Sequence, residues 1–114
     1  MGMSKSRRYS VIDSIEIAAP PTRVLAALPD ELALGVARFS VEARTANGLA
    51  LACDAKALDC GGTHAWLAVA PMRDGTRVAV VHSQLSAKAY EALVDPWRAF
   101  LAKLADDTTR DHAA

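Results

Sequence analysis

Aromatic residues are scarce: the 114-residue chain carries two tryptophans, two tyrosines and two phenylalanines, 5% of its length. That excludes a core built on large rings. The 52% of hydrophobic residues, many of them alanine, point instead to a core of small side chains that each bury little area. Cysteine is scarcer still. Cys53 and Cys60 are too few for a disulfide framework and are expected as thiols. Neither sign of charge prevails, since 13 Lys and Arg balance 13 Asp and Glu. With no general field to draw a polyanion, nucleic acid is not expected as a partner. No apolar run approaches the roughly 20 residues that span a bilayer, and the basic start of the chain is not followed by an apolar segment. The expectation is a cytoplasmic protein without a membrane partner.

The length suits one domain, because independent cores become uncommon below roughly 50 residues. The pattern confines it to residues 9–106, with polar, disordered tails over 1–8 and 107–114. From Tyr9 to Ile17, Val11, Asp13, Ile15 and Ile17 alternate with Ser10, Ile12, Ser14 and Glu16, which predicts a strand with one face inward. Pro20 and Pro21 break it and suit the first turn of a helix running to Leu28. Asp30 to Gly35 is expected as a second short helix, completing a two-helix elbow. Ala37, Phe39, Val41 and Ala43 then alternate with Arg38, Ser40, Glu42 and Arg44 in a clean half-buried strand. Asn47-Gly48 signals a type I′ hairpin, and the chain returns through Leu49, Leu51 and Cys53. Turns at Cys60-Gly61-Gly62 and Arg73-Asp74-Gly75 bound two further strands, for about five in all. A helical stretch follows Ser86, and Asp95-Pro96 is read as the start of the principal helix, whose apolar stripe is Trp97, Phe100, Leu101 and Leu104, preceded by Tyr90 and Leu93.

The fold class is therefore α+β: a curved antiparallel sheet, an elbow after its first strand and a long C-terminal helix packed on it. Two stretches resemble a known superfamily. The run from Ser14 to Leu28, an extended segment that ends at alanine-proline and enters a helix, resembles the opening of START-like (SRPBCC) proteins. Trp66-Leu67-Ala68-Val69-Ala70-Pro71, Asp74 to Ser83 and Trp97-Arg98-Ala99-Phe100-Leu101 resemble the C-terminal half of its Hsp90-ATPase-activator-homologue-like (AHSA1-like) branch. The family carries two further strands between elbow and meander. Their loss here implies a smaller cavity and a sheet edge that must be covered.

The resemblance implies a binding protein without catalytic activity, holding a small apolar molecule between sheet and helix. Val78, Val80, Trp97, Phe100 and Leu101 would line the pocket and His82 would be its polar contact. A second reading is a protein interaction module with a filled core, and a third a small cyclase or isomerase. For the third, Asp13 and His82, both placed inward by the alternation, form the candidate acid-base pair. Against each stands a structural role: a strand-end histidine satisfied by its neighbours, and an Asp13 turned to solvent. Trp66, Ala68, Ala79 and Val81 give the last two strands an apolar outer face, which implies a homodimer interface. Cys53, Cys60, His64 and His82 lack zinc-ligand spacing, so no metal is expected, nor any cofactor.

Overall fold

The computed structural model describes residues 7–35, 37–54 and 62–113, with side chains to residue 109. Cys60, its turn and most of the basic N-terminal tail lie outside the described residues. The alternation that opens the chain forms strand β1 (Tyr9–Ile17), and Pro21 occupies the first turn of helix α1 (Pro21–Ala27). The second elbow helix is replaced by strand β2 (Glu31–Leu34). The five residues between Pro29 and Gly35 cannot repay helix nucleation. Their burial alternates with period two, so Leu32 and Leu34 pair opposite Phe39 and Ala37 instead.

Strand β3 (Ala37–Thr45) holds the expected alternation only as far as Val41. A register shift between Val41 and Ala43 inserts one extra residue against strand β4 (Gly48–Cys53). Because side chains alternate across a sheet, the bulge reverses the faces beyond it. Ala43 pairs with Ala50, whose other neighbour is the exposed Trp66, and Arg44 pairs with the buried Leu49. The assignment of Ala43 inward and Arg44 outward is thus corrected by one bulge.

The β3–β4 hairpin also differs from the expected type I′ form. Thr45 pairs with Gly48, leaving Ala46 and Asn47 as the loop, and Asn47 has no positive φ. The Thr45 hydroxyl accepts from the Asn47 N–H at 3.0 Å. Gly48, at φ +146°, is fixed instead by close approach, since a Cβ there would lie 1.8 Å from the Leu67 carbonyl oxygen.

Strands β5 (His64–Met72) and β6 (Gly75–Leu85) complete a six-stranded antiparallel sheet in the order β1-β6-β5-β4-β3-β2. Helix α2 (Ala87–Ala113) packs against β1 and reaches β6, β2 and α1. It starts earlier than the sequence suggests, with the Ser86 hydroxyl accepting from the Ala89 N–H at 3.1 Å as a cap. Pro96 lies inside the helix and removes one backbone hydrogen bond. Burial of Leu93, Trp97 and Leu101 on both sides of it holds the helix continuous. Residues past Asp106 are no frayed tail either. The helix continues to Ala113, and Thr108 is buried, its hydroxyl donating to the Leu104 carbonyl.

The core lies between the inner sheet face and the α2 stripe Ala89, Leu93, Trp97, Leu101 and Leu104. Val78, Val80, Leu67, Leu49, Leu51 and Phe39 oppose that stripe from the sheet. Leucine and valine supply most of the large side chains, and three of the six aromatic rings, Phe39, Trp97 and Phe100, gather at one point.

Candidate functional site

That point is an aromatic node that joins β3, β6 and α2. Phe39 lies 5.3 Å from His82 and 5.2 Å from Trp97, and Trp97 lies 5.9 Å from Phe100, all edge-on. His82 is completely buried, and both its ring nitrogens are engaged. An indole N–H can only donate, so the 3.2 Å contact from Trp97 Nε1 makes His82 Nδ1 an acceptor. Nε2 then carries the proton and donates to Thr63 Oγ1 at 2.8 Å. Burial first, and the nearby His64 second, lower the His82 pKa from 6.5 to about 4. The imidazole is neutral at pH 7.

Asp13 does share the inner face with His82, but the two are engaged separately. Asp13, 29% exposed at its side chain, accepts from Arg98 Nε at 3.3 Å and from the Ser14 N–H at 2.8 Å. The Arg98 pair fastens α2 to β1. As an inward charge on an edge strand, Asp13 also disfavours addition of a further strand there. His82 and Asp13 are thus each engaged by a different partner, Trp97 and Arg98 being neighbours on α2.

Val78, Val80, Trp97 and Leu101 fill the interior, each at most 2% exposed. Phe100 alone of the expected pocket residues reaches a cleft. One cleft of about 340 Å³ is lined by Ala27, Pro29, Leu32, Phe100, Lys103 and Leu104, together with Ala33 and Asp107. A second, of about 300 Å³, adjoins it along Leu34, Pro96 and Ala99 and shares Ala33, Phe100 and Lys103. Together they form a groove between the β2 edge and α2, with Phe100 as its central wall. Lys103 donates to Asp107 at 2.8 Å across one turn of helix.

Arg44 frames this end of the fold. Its guanidinium donates to the carbonyls of Leu25 (3.3 Å), Leu28 (3.4 Å) and Pro29 (3.2 Å) and to Asp30 Oδ1 (2.8 Å). The exposed end of α1 and the turn into β2 are thereby closed. Sequence reasoning missed Leu32, Lys103, Leu104 and Arg44. Leu32 was hidden by the helical assignment of its segment and Arg44 by the bulge, whereas Leu104 was assigned wholly to the core.

The outer face carries Trp66 (36% exposed) and Val81 (37%), beside the half-buried Ala68 and Ala79. Ile12, 71% exposed on β1, belongs with them. Its signal was present as an apolar residue at an outward position. His64 lies on this outer side, 3.4 Å from Glu42, whereas His82 and Cys53 face the core. Among the described residues no three His, Cys, Asp or Glu side chains cluster as metal ligands, and no helix is long and apolar enough to cross a membrane.

A sheet curled against one long helix, with an elbow between its first two strands, is the helix-grip class of α+β fold. The fold is like that of START-like (SRPBCC), AHSA1-like proteins, as solved structures bear out. Protein MLL2253 from Mesorhizobium loti superimposes with a TM-score of 0.74 at 17% identity, over 90% of this chain and 98% of that one. An AHSA1-like protein from Rhizobium etli gives 0.69 at 22%, over 93% and 86%. The Aha1 dimer from Colwellia psychrerythraea gives 0.68 at 16%, over 86% and 94%. At these identities the likeness is one of fold. No family model and no curated protein matches the chain.

Proposed function

We propose that the chain is a non-enzymatic binding protein that takes a small apolar molecule in the groove beside Phe100 and works as a homodimer. The observation that carries the first part is the contrast between interior and groove. The space between sheet and helix is occupied by Trp97, His82, Phe39 and the aliphatic residues around them. The groove offers adjoining clefts of about 340 and 300 Å³ walled by Leu32, Phe100 and Leu104, within the range that holds small ligands. On this side the sheet ends in the four-residue β2, so the apolar opening lies at its edge. A binding role is further supported by the separate engagement of Asp13 and His82, which leaves neither placed to exchange a proton with the other. Support for the dimer comes from the apolar outer sheet face, and the Aha1 of Colwellia, which shares the fold, is itself a dimer.

Titration of isotopically labelled protein with 1-naphthol and with decanoate, followed by amide chemical shifts, tests the groove. Saturable shifts confined to residues 27–34 and 96–107 are expected, and they should vanish in Ala33→Trp, which fills the groove from the β2 edge. Shifts centred on the interior residues Val78, Val80 and Leu67 would refute the surface site. The absence of saturable shifts would favour the second reading, an interaction module, to which the filled core also lends support.

A further inference from the structure

The outer face of the sheet has relief as well as composition. The strand registers place Ile12 beside Val81, Val81 beside Trp66, Trp66 beside Ala50 and Ala50 beside Ala43. This row crosses five strands, about 19 Å at the usual strand spacing, and its first three members stand out from the surface. The neighbouring row on the same face is Ser14, Ala79, Ala68 and Gly48, linked by the same registers. All four are small. A ridge of large apolar side chains thus runs parallel to a trough with almost no relief, about 7 Å away along the strands. Beyond the trough lies the Arg77–Glu16 ion pair (2.9 Å), and on the β3 side the His64–Glu42 pair. The rim therefore carries both signs, on a chain of zero net charge.

We infer that this face docks a second copy of the same chain, ridge into trough, about a two-fold axis that lies between the two rows and parallel to them. The inference rests on the homodimer part of the function proposed above and is independent of the groove. A two-fold axis in that position maps the ridge of each copy onto the trough of the other while keeping strand over strand. Trp66 then covers Ala68 of the partner subunit, Val81 covers Ala79 of the partner subunit, and Ile12 covers Ser14 of the partner subunit. Large residues over small ones let two sheets reach the roughly 10 Å separation of packed sheets. Facing rows of equal height would hold them apart. The full face, about 29 by 23 Å for six strands of about seven residues, approaches the ~800 Å² per partner of a standard interface. An apolar centre with a polar, charge-balanced rim is the composition such interfaces show. A second copy presents that same charge-balanced rim and so meets no net repulsion.

Sedimentation velocity and light scattering of the full chain from about 1 to 300 μM test this, with circular dichroism to verify folding of each variant. The wild type is expected to approach twice the 12.1 kDa chain mass. Trp66→Glu and Val81→Glu should each raise the dissociation constant by tenfold or more. Ala79→Leu fills the trough while adding apolar surface, and it should also weaken association at least threefold. Tighter association of Ala79→Leu would overturn ridge-into-trough packing, because a merely sticky patch gains from added area. A wild type that dimerises while Trp66→Glu and Val81→Glu dimerise equally well would overturn this surface and leave the homodimer standing. A monomer at every concentration would overturn both.

Discussion

Trp97 Nε1 donates to His82 Nδ1 at 3.2 Å, so the long helix and strand β6 are joined by a polar bond inside a largely apolar core. The bond requires a neutral imidazole, because a protonated His82 would turn a second N–H toward the indole donor. Burial already disfavours the charged form.

Stability should therefore depend on the charge of His82, with a determined sign. The unfolded chain takes up the proton near pH 6.5, whereas the folded protein resists it until about pH 4. Between those values the unfolded state binds more protons, so stability is full above pH 6.5 and falls as pH is lowered through the window. The loss should be about 2 kcal/mol at pH 5 and approach about 3 kcal/mol near pH 4. Denaturant unfolding at pH 7.5, 6, 5 and 4.5 measures it. His82→Gln offers an acceptor to Trp97 and a donor to Thr63 without titrating, so its profile should be flatter by most of that amount. A wild-type profile already flat between pH 7 and 5 would contradict a buried neutral His82.

Arg44 should contribute through the carbonyls it satisfies more than through its charge. Asp30, its acidic partner, is 94% exposed at its side chain, and such pairs contribute little. Asp30→Asn is expected to change stability by less than about 0.5 kcal/mol. Arg44→Ala removes donors from the Leu25, Leu28 and Pro29 carbonyls together and should cost about 1–2 kcal/mol. Arg44→Lys, a point donor in place of a planar fork, should restore less than half of that. Urea midpoints of the three variants decide it. Equal losses for Asp30→Asn and Arg44→Ala would show that the ion pair, not the carbonyl set, is what matters.

The same arginine shows where the sequence stopped being legible. Periodicity identified β1, the first part of β3, the last two strands and the α2 stripe, because each buries one face and the apolar residues record which. A bulge leaves no mark of that kind. Glu42 is an ordinary strand residue by composition, yet the register shift beside it sends Arg44 to the elbow and Ala43 to the outer face. Asp95-Pro96 misled for a related reason. Its local signature suits a helix start, but burial of Leu93 and Trp97 on either side overrides the single lost hydrogen bond. Of the expected site, the inward placement of His82 was readable from alternation. Its partners Trp97 and Thr63, 15 and 19 residues away, depend on tertiary packing and were not.

Gly48 should be the least replaceable glycine of the described sheet. The Leu67 carbonyl of β5 passes so close that a methyl group would overlap backbone, which cannot rotate aside. Gly48→Ala is expected to cost about 3 kcal/mol or more and to loosen the β4–β5 pairing, visible as faster amide exchange at Val69, whose N–H donates to the Asn47 carbonyl at 2.7 Å. Gly35→Ala supplies the comparison. Gly35 has φ +63°, but a methyl group there would meet nothing within 4 Å, so only the left-handed backbone penalty of about 1 kcal/mol applies. Similar costs at both sites would mean that conformation, and not the close approach, governs Gly48.

Gln84 offers the opposite case, a position at which glycine should help. It has φ +65°, alone among the described non-glycine residues in the left-handed region. It lies in the stretch of β6 where Tyr9 pairs with Leu85 but Val11 pairs with His82, so Ser83 and Gln84 together face the single residue Ser10. The extra residue is accommodated by the left-handed turn. The Gln84 side chain is exposed and its loss removes little packing. Gln84→Gly relieves the backbone strain but adds freedom to the unfolded chain, so the net gain should be modest, about 0.5 kcal/mol. Gln84→Val places a β-branched side chain in the same conformation and should cost about 1–2 kcal/mol. The order Gly above Gln above Val in thermal midpoint tests the bulge directly, because an ordinary exposed strand site ranks the same three residues in reverse.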